Sequence, residues 1–190
     1  ADHTAVDKYS EIPQQYIDAV KKMLVNMGGE SHAFGYQYGC NLLEQLDSRF
    51  QVTTFSYSQS VPAPTSSSLR IGSRGVVGEA NFYTNATGIA GMETGITNQY
   101  NAGNPVHVMG FAWCVDMTWH NAPGGGLDPV YNVHWAGSSE GGPQGDLRWG
   151  LDVADQALTG NSVCMATYLA AVNTYNAFSV ANGYPTKTIF

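Results

Sequence analysis

The segment Met23–Tyr36, with the sequence MLVNMGGESHAFGY, decides the fold of this chain. It begins as a short apolar run, stops at two glycines, and continues through an acid and a serine into an amphipathic stretch. A buried strand that ends in a glycine turn and leads at once into a helix has this pattern. The backbone N–H groups at such a helix start favour negative charge. The segment therefore predicts Ser31 at the rim of a sheet, either as an oxygen nucleophile or only as a helix cap.

The flanking sequence predicts alternating helices and strands. A helix from Pro13 to Lys22 precedes a strand at 23–27, and a helix at 33–47 and a β-rich strand at 51–57 follow. This succession forms a βαβ unit, which favours a parallel sheet. The helix at 33–47 is expected to pack on the sheet through apolar residues at helical spacing, which are Phe34, Tyr38, Leu42, Leu43 and Leu46.

The rest of the chain continues in the same manner. A loop, a loose helix and a convincing strand are predicted at 58–68, 88–101 and 106–114, whereas the glycine-rich run 69–78 fits no element well. A long aromatic and glycine-rich loop, two helices and a last strand are predicted at 117–146, 146–158, 163–181 and 187–190. The expected fold is one α/β domain over 1–190, a three-layer α/β/α sandwich with a mostly parallel sheet and an extended arm at 1–12.

Composition limits the partners. Only 12% of the 190 residues are charged, roughly half of the ~25% usual in soluble domains, and the net charge is −7. With eight Lys and Arg residues and no basic cluster, nucleic acid and membrane are poor candidate partners. A polar, weakly charged surface is typical of secreted and carbohydrate-associated proteins. The aromatic residues in and beside the long loop either stack on sugar rings or pack the loop against the body of the domain. These residues are Trp119, Tyr131, Trp135 and Trp149.

Further signals agree with export. The chain opens at Ala1 without an initiator Met, as signal-peptide removal or an expression tag would leave it. Asn85 begins an Asn-Ala-Thr sequon, which fits a glycoprotein where the source glycosylates secreted chains. The three cysteines are widely spaced, so both a disulfide with one free thiol and three buried thiols remain open; they are Cys40, Cys114 and Cys164. A secreted, extracellular location is expected.

The segment around Ser31 resembles the first block of the SGNH (GDSL-like) hydrolase superfamily. Gly29-Glu30-Ser31 stands where that family has Gly-Asp-Ser at a strand end, and Gly35 follows four residues after the serine. The resemblance implies an SGNH-hydrolase-like, flavodoxin-like fold. It also implies that Ser31 is the nucleophile and that its backbone N–H contributes to the oxyanion hole.

The later family blocks match less well. The resemblance implies a second oxyanion-hole N–H after the second strand, from Gly75 or Gly78, and the sequence does not separate the two. The third block falls at the end of the strand 106–114, where the family has Gly-x-Asn-Asp. No Asn follows Gly110 at that spacing, and Trp113 and Asp116 occupy the strand end instead.

The last family block, Asp-x-x-His, is absent from these residues. The resemblance therefore covers about the first two-thirds of a typical domain, and the fold is expected to be incomplete at the C-terminus, with the base beyond Phe190. Glu30 and four histidines are the other candidates for a group that acts on Ser31. His32 is a poor base for its sequence neighbour, and His107 is by default a hydrogen-bonded or surface histidine. His120 and His134 lie in the long loop. Asp116 with His120, and Asp128 with His134, offer a substitute dyad or a metal site.

Two functions are expected from this reasoning. The first is a secreted serine esterase that acts on acylated carbohydrate or an acylated small molecule through Ser31, without metal or cofactor. The second is a catalytically silent, carbohydrate-associated or assembly protein, which self-associates or is completed by a partner chain. A metal-dependent hydrolase that uses Asp116, His120 and His134 is a third, weaker alternative.

Overall fold

The computed structural model describes residues 8–29, 31–56, 59–73, 81–112, 126–127, 134–135 and 165–189. Within these residues the chain forms a parallel β-sheet covered by helices on both faces, which confirms the α/β fold. The strands are β1 Leu24–Gly28, β2 Val52–Ser56, β3 Leu69–Ser73, β4 Val108–Phe111, β5 Gly126–Leu127, β6 His134–Trp135 and β7 Lys187–Thr188. The helices are α1 Gln14–Val20, α2 Ser31–Leu46, α3 Asn81–Thr84, α4 Ala86–Asn101 and α5 Met165–Asn182, with a 3₁₀ turn at Ser48–Phe50.

The main sheet is parallel throughout and has the order β2-β3-β1-β4-β7. β1 is its central strand, because Val25 pairs with Ile71 of β3 on one side and with Val108 of β4 on the other. The two short strands β5 and β6 pair antiparallel with each other, so part of the stretch predicted as a long loop forms strands. The helix predicted at 146–158 lies outside the described residues.

The strand order agrees with a flavodoxin-like sheet in four of its five strands. A flavodoxin-like sheet has the order 2-1-3-4-5. Without β2, the sheet reads β3-β1-β4-β7, which is second, first, third and fourth along the chain. β2 departs from this pattern as an additional edge strand. After β1 the chain continues to strands on one side of the sheet, β2 and β3, and after β4 it continues to β7 on the other side. The direction of winding therefore reverses between β1 and β4. Ligands of open α/β sheets bind at such a reversal.

The face of the sheet under α3, α4 and α5 carries an aromatic core. Phe82 is fully buried, and its ring lies 5.1 Å from that of Phe111 and 5.2 Å from that of Tyr175. Tyr83 stands edge-on to Tyr168 at 5.7 Å. Each of these aromatic side chains buries on the order of 150–250 Å² of surface, so this cluster dominates the packing of the domain.

α5 also holds the edge strand β7. The Nδ2 of Asn176 donates to the carbonyl of Thr188 at 3.0 Å, and the amide of Thr188 donates back to Oδ1 at 2.9 Å. The hydroxyl of Tyr168 donates to the carbonyl of Ile189 at 3.0 Å. These bonds attach the last described residues to the helix, so β7 is fixed by side chains as well as by its pairing with β4.

α2 lies on the opposite face, but not by the side that its apolar spacing predicts. Tyr38, Leu42 and Leu46 are 65%, 59% and 73% exposed, so their predicted packing on the sheet is wrong. Ala33 and Gln37 face the sheet instead, and Gln37 donates to the carbonyl of Phe55 at 3.2 Å. The tight turn before α2 sets the rotation of the helix, and this constraint outweighs the apolar pattern.

Of the extended arm expected at 1–12, the described residues 8–11 form a 3₁₀ turn. Arg49 holds this turn by donating to the carbonyl of Ser10 at 3.1 Å, and the ring of Tyr9 lies 6.0 Å from that of Phe50. Among the helices described, none is long and apolar enough to cross a bilayer.

Candidate active site

The turn between β1 and α2 brings Ser31 to the carboxyl end of the central strand. Gly29 has φ +99°, a left-handed conformation that side chains other than glycine rarely adopt. A Cβ at Gly29 would lie 2.6 Å from the carbonyl oxygen of Ala112, and a Cβ at Gly28 would lie 2.7 Å from the Phe82 ring. Both glycines are therefore required by close packing. The chain reverses here, and α2 begins at Ser31.

The first turn of α2 lies over the ends of the neighbouring strands. Ala33 has no exposed surface and packs in a cluster with Met27 of β1, Ile71 of β3 and Ala112 after β4. The amide of Ala112 donates to the carbonyl of Gly28 at 3.0 Å, which extends the β1–β4 pairing to the turn itself. A small side chain two residues after Ser31 thus allows the helix start to approach three strands.

The carboxyl end of β3 adds a buried serine. Ser73 is 5% exposed, and its hydroxyl has no hydrogen-bond partner among the residues that the structure describes. Ser73 is paired with Ser56 of β2 and ends the strand that lies directly beside β1. An unpaired buried hydroxyl is uncommon, since buried polar groups usually find a partner.

Three of the predicted site residues lie within the described part of the chain, Ser31, His32 and His134. Ser31 has the predicted position at the start of α2, and His32 follows it on the exposed part of the first turn. His134 begins the short strand β6. The remaining predicted site residues, which are Glu30, Gly75, Gly78, Trp113, Asp116 and His120, lie outside the described residues. Within the described ranges no three His, Cys, Asp or Glu residues are grouped closely enough to hold a metal ion.

His107 lies at the opposite, amino edge of the sheet. Its Nδ1 accepts a hydrogen bond from the amide of Leu24 at 3.1 Å, which confirms a satisfied histidine. Burial, and then the nearby charge of Arg70, lowers the pKa of His107 below its ordinary value. The five residues of β1 separate this edge from the turn at Gly29, a distance of about 16 Å at the usual rise per residue. His107 is therefore too far away to act as a base for Ser31.

Two further residues singled out by the sequence have defined environments. Asn85 of the sequon is exposed and caps α4, with its Oδ1 accepting from the amides of Thr87 at 2.8 Å and Gly88 at 3.2 Å. Cys40 is a half-buried free thiol, and burial raises its pKa. Cys114 and Cys164 lie outside the described residues, so a bond between these two stays untested.

Sequence reasoning missed Ser73, Gln37 and Arg70. Ser73 and Arg70 belong to β3, a strand that the sequence did not predict, because its residues Leu-Arg-Ile-Gly-Ser lack the usual apolar run. Gln37 lies between aromatic residues in α2, and only the rotation of the helix places it against the sheet. No short motif marks any of the three. Comparison of the chain with protein-family models, with curated proteins and with solved structures gives no match.

Proposed function

We propose that this chain carries a serine esterase site of the SGNH type at the carboxyl ends of β3, β1 and β4, with Ser31 as the nucleophile. The observation that carries the proposal is the position of Ser31, which begins a 16-residue helix directly after the glycine turn of the central strand. Active sites of open α/β sheets lie at this edge, where the winding direction reverses. The backbone N–H groups of the first helical turn favour the negative charge of an oxyanion.

The neighbouring strands support the assignment of the oxyanion hole. β3 is the direct neighbour of β1, so the carboxyl end of β3 at Ser73 lies beside the turn that leads to Ser31. Gly75 and Gly78 follow Ser73 in the sequence and are the alternatives proposed for the second donor, with the N–H of Ser31 as the first. Two N–H donors directed at a developing oxyanion are the usual device for acyl transfer.

The proposed reaction follows the chemistry of an activated hydroxyl. The Ser31 oxygen attacks the ester carbonyl carbon while a general base removes its proton. The tetrahedral intermediate collapses, the alcohol leaves with that proton, and water then hydrolyses the acyl-serine. His107 lies at the far edge of the sheet, and His32 is a poor base for its neighbour Ser31, so the base is assigned to a residue outside the described ones. The proposed substrate is an acetyl or other short acyl ester on a carbohydrate, as the aromatic, weakly charged composition suggests.

The test compares Ser31→Ala with Ser48→Ala. Ser48 is an exposed serine just past the far end of α2, roughly 25 Å from Ser31 at 1.5 Å per residue. We expect a fluorophosphonate probe to label the wild type and Ser48→Ala but not Ser31→Ala. Hydrolysis of 4-nitrophenyl acetate and of acetylated xylo-oligosaccharide should fall at least about a thousandfold in Ser31→Ala. Equal labelling and turnover in all three proteins would refute the proposal.

A second candidate function is assembly without catalysis, and the exposed side of α2 favours it. Gly35, Gly39 and the exposed residues Tyr38, Leu42 and Leu46 share one helix face, because they recur three or four positions apart. Apolar residues concentrated on an exposed face often mark an association surface. Sedimentation velocity should then show concentration-dependent oligomers that Leu42→Glu disperses. An association with a dissociation constant well below the millimolar range would produce oligomers at about 100 µM. A wild-type chain that is still monomeric at that concentration therefore argues against assembly through this face.

A further inference from the structure

A cleft opens at the amino edge of the sheet, on the side away from Ser31. It has a volume of about 590 Å³ and is formed by the residues that precede β1, β3 and β4. Its lining includes the polar residues Lys22, Thr65, Ser66, Arg70, Asn104 and His107 and, among the described residues, no Asp or Glu. In a chain of net charge −7, a cleft whose described lining holds two cationic residues and no acid is a distinct feature.

Arg70 is the central charge of this cleft. Its side chain is 1% exposed, and the described residues provide no carboxylate within ion-pair distance. The guanidinium instead donates to neutral oxygens. Nη1 bonds the side-chain oxygen of Asn104 and, at 3.2 Å, the carbonyl of Pro62, while Nη2 bonds the carbonyl of Lys22 at 3.2 Å. Burial of this cation without a counter-charge lowers its pKa, which reflects the cost of removing it from water.

The unused donors of Arg70 indicate what would compensate the charge. Three of the five guanidinium N–H groups are engaged, and Nε has no hydrogen-bond partner. The two remaining N–H groups, on Nε and Nη2, belong to the adjacent nitrogens that form one edge of the guanidinium. Two donors on neighbouring nitrogens match two oxygens of one oxyanion.

We infer that this cleft binds a doubly charged oxyanion, the phosphate group of a small ligand, between Arg70 and Lys22. Nε and Nη2 of Arg70 are the donors to two phosphate oxygens, which requires the cleft wall to open locally because Arg70 is 1% exposed in this structure. The ammonium of Lys22, which is exposed at the rim, supplies the second positive charge. The hydroxyls of Thr65 and Ser66 lie at the same rim and are able to donate to the remaining oxygens.

A purely structural role for Arg70 explains fewer of its features than a phosphate site does. Its three bonds join the segments at Lys22, Pro62 and Asn104, and this joining needs hydrogen-bond donors. It does not need a positive charge, and it leaves Nε unpaired in a buried position, where an unmade hydrogen bond is unfavourable. The phosphate site explains both the charge and the free donor. It does not depend on the reaction proposed for Ser31.

The test titrates the full chain with inorganic phosphate by isothermal titration calorimetry, at an ionic strength held constant with sodium chloride. We expect saturable binding at one site per chain, with acetate binding more weakly because it carries one charge. Lys22→Gln should weaken phosphate about threefold to fivefold, as expected for one partly exposed charge. Lys21→Gln is the matched control: the Lys21 ammonium points to the Oε1 of Gln51 at 3.4 Å, and this residue is not part of the cleft lining.

Arg70→Lys provides the second variant, since it keeps the charge and removes the paired donors. The folded variant should show no saturable phosphate binding; if it does not fold, the comparison of Lys22→Gln with Lys21→Gln decides. Absence of saturable binding in the wild type overturns the inference. Equal loss in Lys21→Gln and Lys22→Gln, or acetate binding as tightly as phosphate, overturns it as well.

Discussion

The two faces of the central sheet are packed in different ways. The face under α3, α4 and α5 is filled by interlocking aromatic rings, whereas the face under α2 is filled near the turn at Gly29 by small and medium residues, Met27, Ala33, Ile71 and Ala112. On the first face large side chains hold the helices at a distance. On the second, small side chains let a helix start approach the strand ends. One face thus stabilises the domain, and the other permits the geometry at Ser31.

The aromatic face is not uniformly filled, which refines this comparison. A cavity of about 240 Å³ lies between α4 and the strands, with Leu24, Phe55 and Met109 on the sheet side. Gly91 and Gly95 line it from the helix, and a Cβ at either position would meet nothing within 4 Å. On this face α4 contributes Met92 and Ile96 to the buried cluster, while its glycines leave the cavity beside them.

The largest effect is expected from Phe82→Ala on the aromatic face. Phe82 has no exposed surface and contacts three other rings of the cluster, so its removal should cost about 3–5 kcal/mol of unfolding free energy. The matched change Leu42→Ala on the exposed side of α2 should cost less than about 0.5 kcal/mol. Urea denaturation measures both. Similar losses in the two variants would mean that the faces do not differ as described.

An intermediate effect is expected from two glycine substitutions on the aromatic face. A Cβ at Gly72 would lie 2.3 Å from the ring of Phe55, so Gly72→Ala should destabilise the domain by about 1–3 kcal/mol. Gly95→Ala enters open space within a helix and should stabilise by about 1 kcal/mol. The midpoints of thermal unfolding should move in opposite directions. Two shifts of the same sign would contradict the placement of the cavity under α4.

The smallest effect is expected in the pH dependence of stability, through His107 at the amino edge of the sheet. The pKa of His107 is lowered in the folded chain by burial and by Arg70, so the unfolded chain binds the proton more readily. The contribution of neutral His107 to the free energy of unfolding is fully present above the ordinary histidine pKa of about 6.5. It is lost as the pH falls through the lower pKa that His107 has in the folded chain. The urea midpoint of the wild type should therefore fall between pH 7.5 and pH 5 more than that of His107→Asn. A parallel decline in both proteins would exclude His107 as the cause.

Much of the fold follows from sequence pattern, and the failures have identifiable causes. The elements α1, β1, α2, β2, α4, β4, α5 and β7 occur within a few residues of their predicted positions. α4 begins two residues earlier than predicted because Asn85 caps it. β3 was missed because an arginine and a glycine interrupt its apolar pattern. Arg70 is tolerated in the strand since three neutral oxygens receive its bonds, and Gly72 is needed because the Phe55 ring covers it.

Local sequence by itself determined the strand, the glycine turn and the helix start that place Ser31 at a sheet edge. Those features depend on neighbouring residues and on the backbone freedom of Gly29. Only the tertiary structure decided which strands flank β1, which side of α2 is buried, and that Arg70 lines a cleft at the amino edge of the sheet. Each of these depends on segments far apart in the chain, such as Lys22, Pro62 and Asn104 around Arg70, whose approach is set by long-range packing and not by local pattern.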